Sequence, residues 1–419
     1  MSYGDVSRDI TPARSRDLRV SGAIRKKAVG GAAKAALPAA PLLLFLLLFL
    51  VVPLLTILHS SVSDEQIAAT LPETTAALQS WDGTGVPAAA VYGTLAGELR
   101  AADEAGTLRR LGRRVQYELE GGLGILLNAS RALPEEALPG DAQAIRELMV
   151  GADPAWGKPG VWRILQRYDT PYSSFYLRWA LGLPTVLDAD GAVSDGPGYD
   201  FPTIYLRTVL ISLAVTVLTV LIGYPVAYVI ATSAGRTGAI LLFLILLPFW
   251  TSLLVRVMSL IVVLQTNGVV NQLLTGMGLL GDPLSFLYTR PATIFAMTQI
   301  QLSFTVLPML SVMRTIPADQ LRGARSLGAG PIRAHATIFL PQAVPGIAAG
   351  SLLTFVMCLG FYITPELVGS PSDQMVGSFI AQFTSEDLNW GLAAALSVVL
   401  CAGAAILTLP LARRVRRHA

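Results

Sequence analysis

Six apolar runs, each about as long as a bilayer is thick, constrain the fold of this chain more than any other feature. They span residues 37–60, 205–232, 239–264, 291–313, 344–363 and 391–411. A helix needs about 20 apolar residues to cross the hydrocarbon core of a membrane. Charged residues make up only 14% of the chain, against about 25% in soluble domains. We therefore predict an all-α protein with six transmembrane spans.

Charge is distributed unevenly along the chain. Residues 61–203 carry 19 acidic and 11 basic side chains, a net charge of −8, so the remainder carries +11. The basic residues cluster in an N-terminal arm (1–36), in the loop 314–341 and in a tail (413–419). Because Lys and Arg accumulate in cytoplasmic loops, we predict that both termini and that loop lie in the cytoplasm. Residues 61–203 then lie on the opposite face of the membrane.

The insertion 61–203, which we call the cap, contains patterns of a small helical domain. Apolar residues recur there at three- and four-residue spacing, at Leu108, Leu111, Val115, Leu119 and Leu123. An aromatic-rich stretch follows, with Trp156, Trp162, Tyr168, Tyr172, Phe175, Tyr176 and Trp179. These rings either form the core of the cap or face a docking partner. The cap contains no cysteine, so no disulfide stabilises it.

A polar, basic segment separates the fourth and fifth apolar runs. Residues 322–341 read RGARSLGAGPIRAHATIFLP. A helix over 318–327 would place Leu321, Ala324 and Leu327 on one face, where they could dock in a groove of a partner. Gly328 can adopt positive φ and end this helix. A second helix would begin at Pro331 and would end or kink at Pro341.

The spacing of Gly328 from Ile338, Leu340 and Pro341 resembles the coupling-loop signature of ABC importer permeases, E-A-A-x3-G-x9-I-x-L-P. The resemblance implies that residues 314–343, the coupling loop, receive the motion of an ATPase. It assigns this role to Arg322, Gly323, Ala324, Leu327, Gly328, Ile338, Leu340 and Pro341. Arg322 and Gly323 stand where the family has Glu and Ala. Either the partner ATPase supplies a compensating acid, or the contact of that Glu is dispensable.

Other segments resemble the spermidine/putrescine branch of this family. They are residues 205–208, 223–228, 248–256, 267–271 and 389–391. The resemblance covers residues 37–60 and 203–412 but not the cap, where such permeases have a much shorter loop. It implies a multi-pass permease subunit of the bacterial inner membrane with a periplasmic cap. The implied partners are a cytoplasmic ABC ATPase dimer, a second permease subunit, usually a paralogue, a periplasmic solute-binding protein and membrane lipid, with no nucleic acid.

The chain lacks the residues that hydrolyse ATP. It has no G-x-x-x-x-G-K-[ST] phosphate loop, whose backbone would cradle the phosphates. We therefore predict that the chain is not an enzyme and has no catalytic residues and no cofactor of its own. ATP and Mg would bind to the partner ATPase. The sequence has no Cys/His cluster typical of a metal site.

Polar and aromatic residues inside apolar runs are candidates for a solute pathway, because lipid disfavours them there. The candidates are Tyr224, Tyr228, Trp250, Thr251, Ser252, Gln299, Gln301, Tyr362 and Glu366. Aromatic faces and a carboxylate suit a cationic solute. Glu366 could instead face water, and Trp250 could pack between helices. Gln299 and Gln301 point in different directions on a helix, so at most one of them lines a path.

Three alternatives to a polyamine importer stay open. The solute could be an amino-acid-like zwitterion, an aminophosphonate or an iron chelate. The chain could be a membrane sensor, although the tail after the sixth run is too short for an output domain. It could be a secondary transporter, but that class couples transport to ions through intramembrane acids. The runs contain almost none.

Overall fold

The computed structural model describes residues 38, 40–134, 140–168, 170–193, 199–233, 235–279 and 281–418. The predicted arm 1–36 lies outside these residues. The chain forms two compact units, one ending at Ile57 and one beginning at Leu58. Helix α1, Ala40–Ser60, contains a π-helical turn at Leu47–Val51 and supplies the described part of the first unit.

The second unit is built from helices. They are α2 Glu65–Thr70, α3 Pro72–Leu78, α4 Ala89–Glu104, α5 Leu108–Gln116, α6 Gly122–Ala132, α7 Ala142–Ala152, α8 Pro159–Gln166, α9 Phe175–Ala180, α10 Phe201–Thr232, α11 Arg236–Leu246, α12 Leu253–Leu264, α13 Val269–Gly276, α14 Arg290–Met313, α15 Ala318–Ser326, α16 Pro331–Leu359, α17 Ile363–Val368, α18 Val376–Ser385 and α19 Trp390–His418. Short 3-10 turns occur at Pro154–Gly157, Leu247–Trp250 and Pro371–Asp373. Within the described residues, extended pairing is limited to isolated bridges. The prediction of an all-α fold is confirmed.

Six helical segments are long and apolar enough to cross a membrane, as predicted, but their bounds differ from the sequence estimate. The predicted third span, 239–264, is not one helix. It divides into α11, the turn Leu247–Trp250 and α12, because Pro248 cannot donate a backbone hydrogen bond. The segment that qualifies there is Leu253–Gly276. The fifth candidate begins at Pro331, inside the coupling loop, rather than at 344.

Helix α14 is the most buried of the six candidate spans. It packs against α10 along one side and against α16 along another, and α10 also contacts α16. Small residues permit this close packing. An added Cβ at Gly350 of α16 would lie 2.5 Å from the carbonyl oxygen of Thr305 on α14. These three helices therefore form the centre of the membrane core.

The cap has its own hydrophobic core. Leu108, Leu111, Val115 and Leu119 are buried, which confirms the predicted helical periodicity. The rings of Trp156 and Trp162 are fully buried and meet edge to face, with centroids 5.3 Å apart. Burial of such large rings contributes much of the stability of a small domain. These rings therefore have the role of core residues rather than of a docking face.

The later aromatic residues of the cap join it to the membrane helices. Phe175 and Tyr176 of α9 share a buried cluster with Phe201 of α10 and with Phe379 and Phe383 of α18. The cap thus packs at the N-terminal end of α10. The coupling loop packs at the other end of α10, a helix of 32 residues, or about 48 Å at 1.5 Å per residue. The cap and the coupling loop therefore lie at opposite ends of α10; their placement on opposite faces of a membrane stays a prediction.

Gly391 of α19 lies directly against Tyr176 of the cap. A Cβ added there would lie 2.3 Å from Cε2 of Tyr176. We expect Gly391→Ala to lower stability by about 1–3 kcal/mol through overpacking. Gly403 on the same helix has no atom within 4 Å of an added Cβ, so Gly403→Ala is the matched control. Thermal melting in detergent measures both variants. Equal melting temperatures for them would contradict this packing.

Candidate functional site

The first half of the coupling loop is a short helix that ends at a glycine. Gly328 has φ of +88°, a conformation that favours glycine. Its N–H bonds to the carbonyl of Arg325 at 3.0 Å, and the N–H of Ala329 bonds to the carbonyl of Ala324 at 3.1 Å. This pair of bonds is the Schellman motif, which satisfies the last carbonyls of a helix. The predicted role of Gly328 in ending α15 is confirmed.

The apolar face of α15 divides between the core and the surface. Ala324 is buried, and the half-buried Leu321 packs on the membrane-core cluster around Phe339. Leu327 is 90% exposed, and Ile332, beyond the turn, is 85% exposed. Ala324 is therefore covered within the chain, whereas docking of Leu321 and Leu327 on a partner stays a prediction. Sequence reasoning missed Ile332, although its place directly after Pro331 at the start of a helix was a usable signal.

Arg322, which stands where the family has an acid, is accommodated within its own helix. Its Nη2 lies 2.8 Å from Oδ1 of Asp319, one turn earlier. Both side chains are mostly exposed, and such surface pairs contribute little to stability. The neighbouring Gly323 is exposed, with open space around an added Cβ. Both residues leave this face of α15 accessible.

The second half of the loop enters the membrane core as one helix. Of the two predicted effects of Pro341, an end or a kink, the end is excluded, because α16 continues through it to Leu359. A π-helical turn, His335–Phe339, precedes the proline, and such turns occur where the regular bonding ladder is disturbed. Ile338 is half-buried in that turn, and Leu340 and Pro341 are exposed. The loop and the span are therefore one continuous element.

Aromatic side chains connect this π-helical turn to α10. His335 Nε2 lies 2.7 Å from the hydroxyl of Tyr224, and its ring stacks on Phe339 with centroids 5.2 Å apart. Tyr228 meets the His335 ring edge to face at 4.6 Å. Tyr224 and Tyr228 were predicted to line the solute pathway, but the structure places them beside the coupling loop. His335 was counted from the sequence only as a basic residue.

The interrupted helix between α11 and α12 leaves backbone carbonyls without helical partners. The guanidinium of Arg256 donates to the carbonyl oxygen of Pro248, and to the carbonyl and Oγ1 of Thr251 at 3.2 and 3.3 Å. Unpaired carbonyls within a bilayer cost several kcal/mol each. Arg256 therefore has a structural reason to lie inside an apolar run.

A cavity of about 250 Å³ opens beside this interruption. Its lining includes Thr251, Arg256, Gln301 of α14, and Phe361 beyond the end of α16. Gln301 is fully buried, its carboxamide has no hydrogen-bond partner in the structure, and it neighbours the Cys358 thiol. A buried amide without partners costs free energy, so this side chain is suited to bind a solute that enters the cavity.

The remaining pathway candidates do not converge on this cavity. Trp250 is 69% exposed and contacts Phe243, while Tyr362 and Glu366 are exposed at the start of α17. Gln299 is half-buried, and its Oε1 has no hydrogen-bond partner. Of the predicted pathway set, Thr251 and Gln301 are the two that line the cavity. The expectation that at most one glutamine lines a path agrees with this placement.

A buried ionic network lies where the cap meets the membrane helices. Arg114 of α5 is 1% exposed and pairs with Asp64 at 2.5 Å and with Glu118 at 2.6 Å. Its guanidinium also donates to the hydroxyl of Tyr168 and lies 4.5 Å from the ring centroid of Phe175. Nη1 of Arg114 has no hydrogen-bond partner. The network joins the start of the cap, its central helix and α9.

The surroundings of Arg114 and Tyr168 set the charge state of both side chains. Burial opposes the charge of Arg114, but the adjoining tyrosines and carboxylates hold its pKa well above the usual range. Burial raises the pKa of Tyr168 far above its usual value. The arginine therefore stays charged and the tyrosine stays neutral across physiological pH.

Comparison with known proteins gives a consistent family. The sequence profile of the binding-protein-dependent transport system inner membrane component matches residues 219–417. That region contains the coupling loop and the cavity, and the cap lies outside it.

Individual relatives agree with this profile. The spermidine/putrescine transport system permease protein PotB of Escherichia coli (strain K12) is 30% identical over 47% of this chain and 72% of its own length. PotB of Haemophilus influenzae is 33% identical over 48% of this chain and 71% of its own length. The molybdenum transport system permease protein ModB of Mycobacterium bovis is 31% identical over 51% of this chain and 79% of its own length.

Proposed function

We propose that this chain imports a polyamine in an ATP-driven cycle, because it belongs to the family of binding-protein-dependent transport system inner membrane components. Within that family it is a multi-pass permease subunit of an ABC importer of the polyamine type. An extracytoplasmic binding protein delivers the solute, and a cytoplasmic ATPase dimer holds ATP and Mg. A second permease, a paralogue of this chain, completes the pathway.

The geometry of the coupling loop carries this proposal. Two exposed apolar residues, Leu327 and Ile332, flank the turn at Gly328. Leu321 packs this segment onto the membrane core, and α16 continues from it without a break. A partner that binds Leu327 and Ile332 therefore moves the turn and α16 together, rather than a flexible loop. Motion passes along α16 and, through His335 and Tyr224, to α10.

Polyamines are the first choice of solute because the two PotB relatives carry that solute in their names. Phe249, Phe304 and Phe361 line the cavity, and aromatic rings attract cations. The exposed Tyr362 and Glu366 fit the same class if the second permease covers them. The charge of Arg256 is engaged by backbone carbonyls, so it does not by itself exclude a cation.

An anionic or zwitterionic solute is the second candidate. Among the described residues that line the cavity, Arg256 is the charged side chain and no acid is present. Such a site favours a negative group on the solute. The similarity to a molybdenum permease is compatible with this alternative.

Reconstitution in nanodiscs with the ATPase, the second permease and the binding protein tests the proposal. We expect spermidine or putrescine together with the binding protein to raise ATP hydrolysis several-fold over the basal rate. If an oxyanion or an amino acid raises the rate of ATP hydrolysis and no polyamine does, the assignment of a polyamine as the solute is wrong. Failure of the ATPase to assemble with this chain would contradict the coupling role itself.

A further inference from the structure

A pocket of about 310 Å³ lies between the cap and the segment that precedes the last span. Its lining joins Gln66 of α2, Arg110 and Arg113 of α5, and Tyr117 directly after α5, to Asp387, Leu388 and Trp390. The sequence profile of the family begins at residue 219, so the cap half of the pocket lies outside the matched region. We propose that the pocket binds the headgroup of a membrane phospholipid that carries both a phosphate and a primary ammonium group, as phosphatidylethanolamine does.

The position of the pocket points to a lipid. Trp390, which lines it, is the first residue of the candidate span Trp390–Pro410 and is 63% exposed. Leu388 on the same rim is also exposed. Tryptophan at the end of a span lies at the level of the lipid headgroups. The pocket therefore opens where a headgroup meets the protein and where the start of an acyl chain can contact apolar surface.

The basic side of the pocket suits a phosphate. The side chains of Arg110 and Arg113 are exposed on α5, and neither forms an ion pair with a described residue. Guanidinium groups bind phosphate oxygens through paired hydrogen bonds. Arg114 also lines the pocket, is 1% exposed, and keeps Nη1 without a partner. A buried charged donor without an acceptor is costly, and a phosphate oxygen at this end of the pocket would supply one.

The opposite side of the pocket suits an ammonium group. Asp387 is the acid among the described lining residues. Tyr117 stands nearby, and burial together with the charge of Asp387 raises the pKa of its hydroxyl. The rings of Tyr117 and Trp390 can attract a cation. Asp64 and Glu118 already pair with Arg114, so the accessible charges of the lining are Arg110 and Arg113 on one side and Asp387 on the other. A purely anionic headgroup would leave Asp387 facing a negative ligand.

Native mass spectrometry of the purified full chain, titrated with phosphatidylethanolamine or phosphatidylglycerol, tests the proposal. We expect wild-type protein to retain phosphatidylethanolamine at least fivefold more strongly. The variant Arg110→Gln/Arg113→Gln should lose at least tenfold in retention. Arg109→Gln is the matched control, because Arg109 is exposed on the same helix but does not line the pocket. Asp387→Asn should shift the preference toward phosphatidylglycerol, a gain that a misfolded cap cannot produce.

Three outcomes would overturn the proposal. Equal retention of phosphatidylethanolamine and phosphatidylglycerol by wild-type protein would show that the arginines attract any lipid phosphate without specificity for the headgroup. Equal losses in Arg109→Gln and in the double variant would place the effect outside the pocket. Complete displacement of the lipid by millimolar free phosphoethanolamine would show that a soluble ligand, and not a lipid, occupies the site.

Discussion

Replacing Leu327 with Asp is expected to lower the yield of co-purified ATPase at least tenfold while this chain stays folded. The side chain is 90% exposed, and exposed substitutions usually change stability by less than about 0.5 kcal/mol. If the ATPase covers Leu327, the variant places a carboxylate in an apolar groove. Disruption of a central apolar contact costs about 2 kcal/mol or more, and each 1.4 kcal/mol is tenfold in affinity. Ile332→Asp should act in the same way.

A matched control separates docking from a general effect of an added acid. Leu279, between α13 and α14, is 67% exposed, and it lies outside the coupling loop. Leu279→Asp should leave ATPase assembly unchanged. Affinity purification through a tag on this chain, followed by quantification of the ATPase, measures all three variants. Wild-type yields from the double variant Leu327→Asp/Ile332→Asp would contradict docking at this turn.

The sequence predicted features that depend on local composition. Apolar length located the spans, and three- and four-residue spacing located the buried face of α5 at Leu108, Leu111 and Val115. The left-handed turn at Gly328 followed from the residue type and its place after a helical segment. The spans, the buried face of α5 and the turn at Gly328 all depend on residues that are close together in the sequence. One amino-acid sequence was therefore sufficient to predict them.

The features that the sequence did not predict depend on backbone geometry or on distant contacts. Hydropathy cannot detect the interruption at Thr251, because both sides of it are apolar, and the available signal was Pro248. Tyr224 and His335 are separated by 111 positions, so their contact had no local signature. Arg114 lies among Arg109, Arg110 and Arg113, which are exposed, yet it is buried, and its partner Asp64 is 50 positions away.

Arg322 shows how structure changes the meaning of a departure from the family pattern. From the sequence, a base in place of an acid required either a compensating acid on the ATPase or a dispensable contact. The pair with Asp319 at 2.8 Å supplies an acid from the same helix. The charge of Arg322 is thus balanced within α15 before any partner binds. This favours the explanation that the contact of the family's Glu is dispensable in this protein.

Loss of the buried positive charge in the cap network is expected to destabilise the cap strongly. Arg114→Met leaves Asp64 without a cation and leaves Glu118 with only its longer contact to Arg167, at 3.8 Å, and both carboxylates are 1% exposed. Removing one partner of a buried ion pair costs about 3–5 kcal/mol. Trp156 and Trp162 lie in the core of the cap, so their fluorescence during denaturation reports the unfolding of this region. Arg109→Met, on the exposed side of the same helix, should change the free energy of unfolding by less than about 0.5 kcal/mol.

A triple variant distinguishes the ionic contribution from simple packing. Replacing Asp64 and Glu118 with Leu in the Arg114→Met background removes the unpaired charges, and apolar replacement of a buried ion network is often neutral or stabilising. We expect it to recover more than half of the lost stability. Full recovery is not expected, because the hydroxyl of Tyr168 then lacks its acceptor on Glu118. If Arg114→Met unfolds like Arg109→Met, the network does not stabilise the cap. If the triple variant is no more stable than Arg114→Met alone, the loss arises from packing against Phe175 and not from charge.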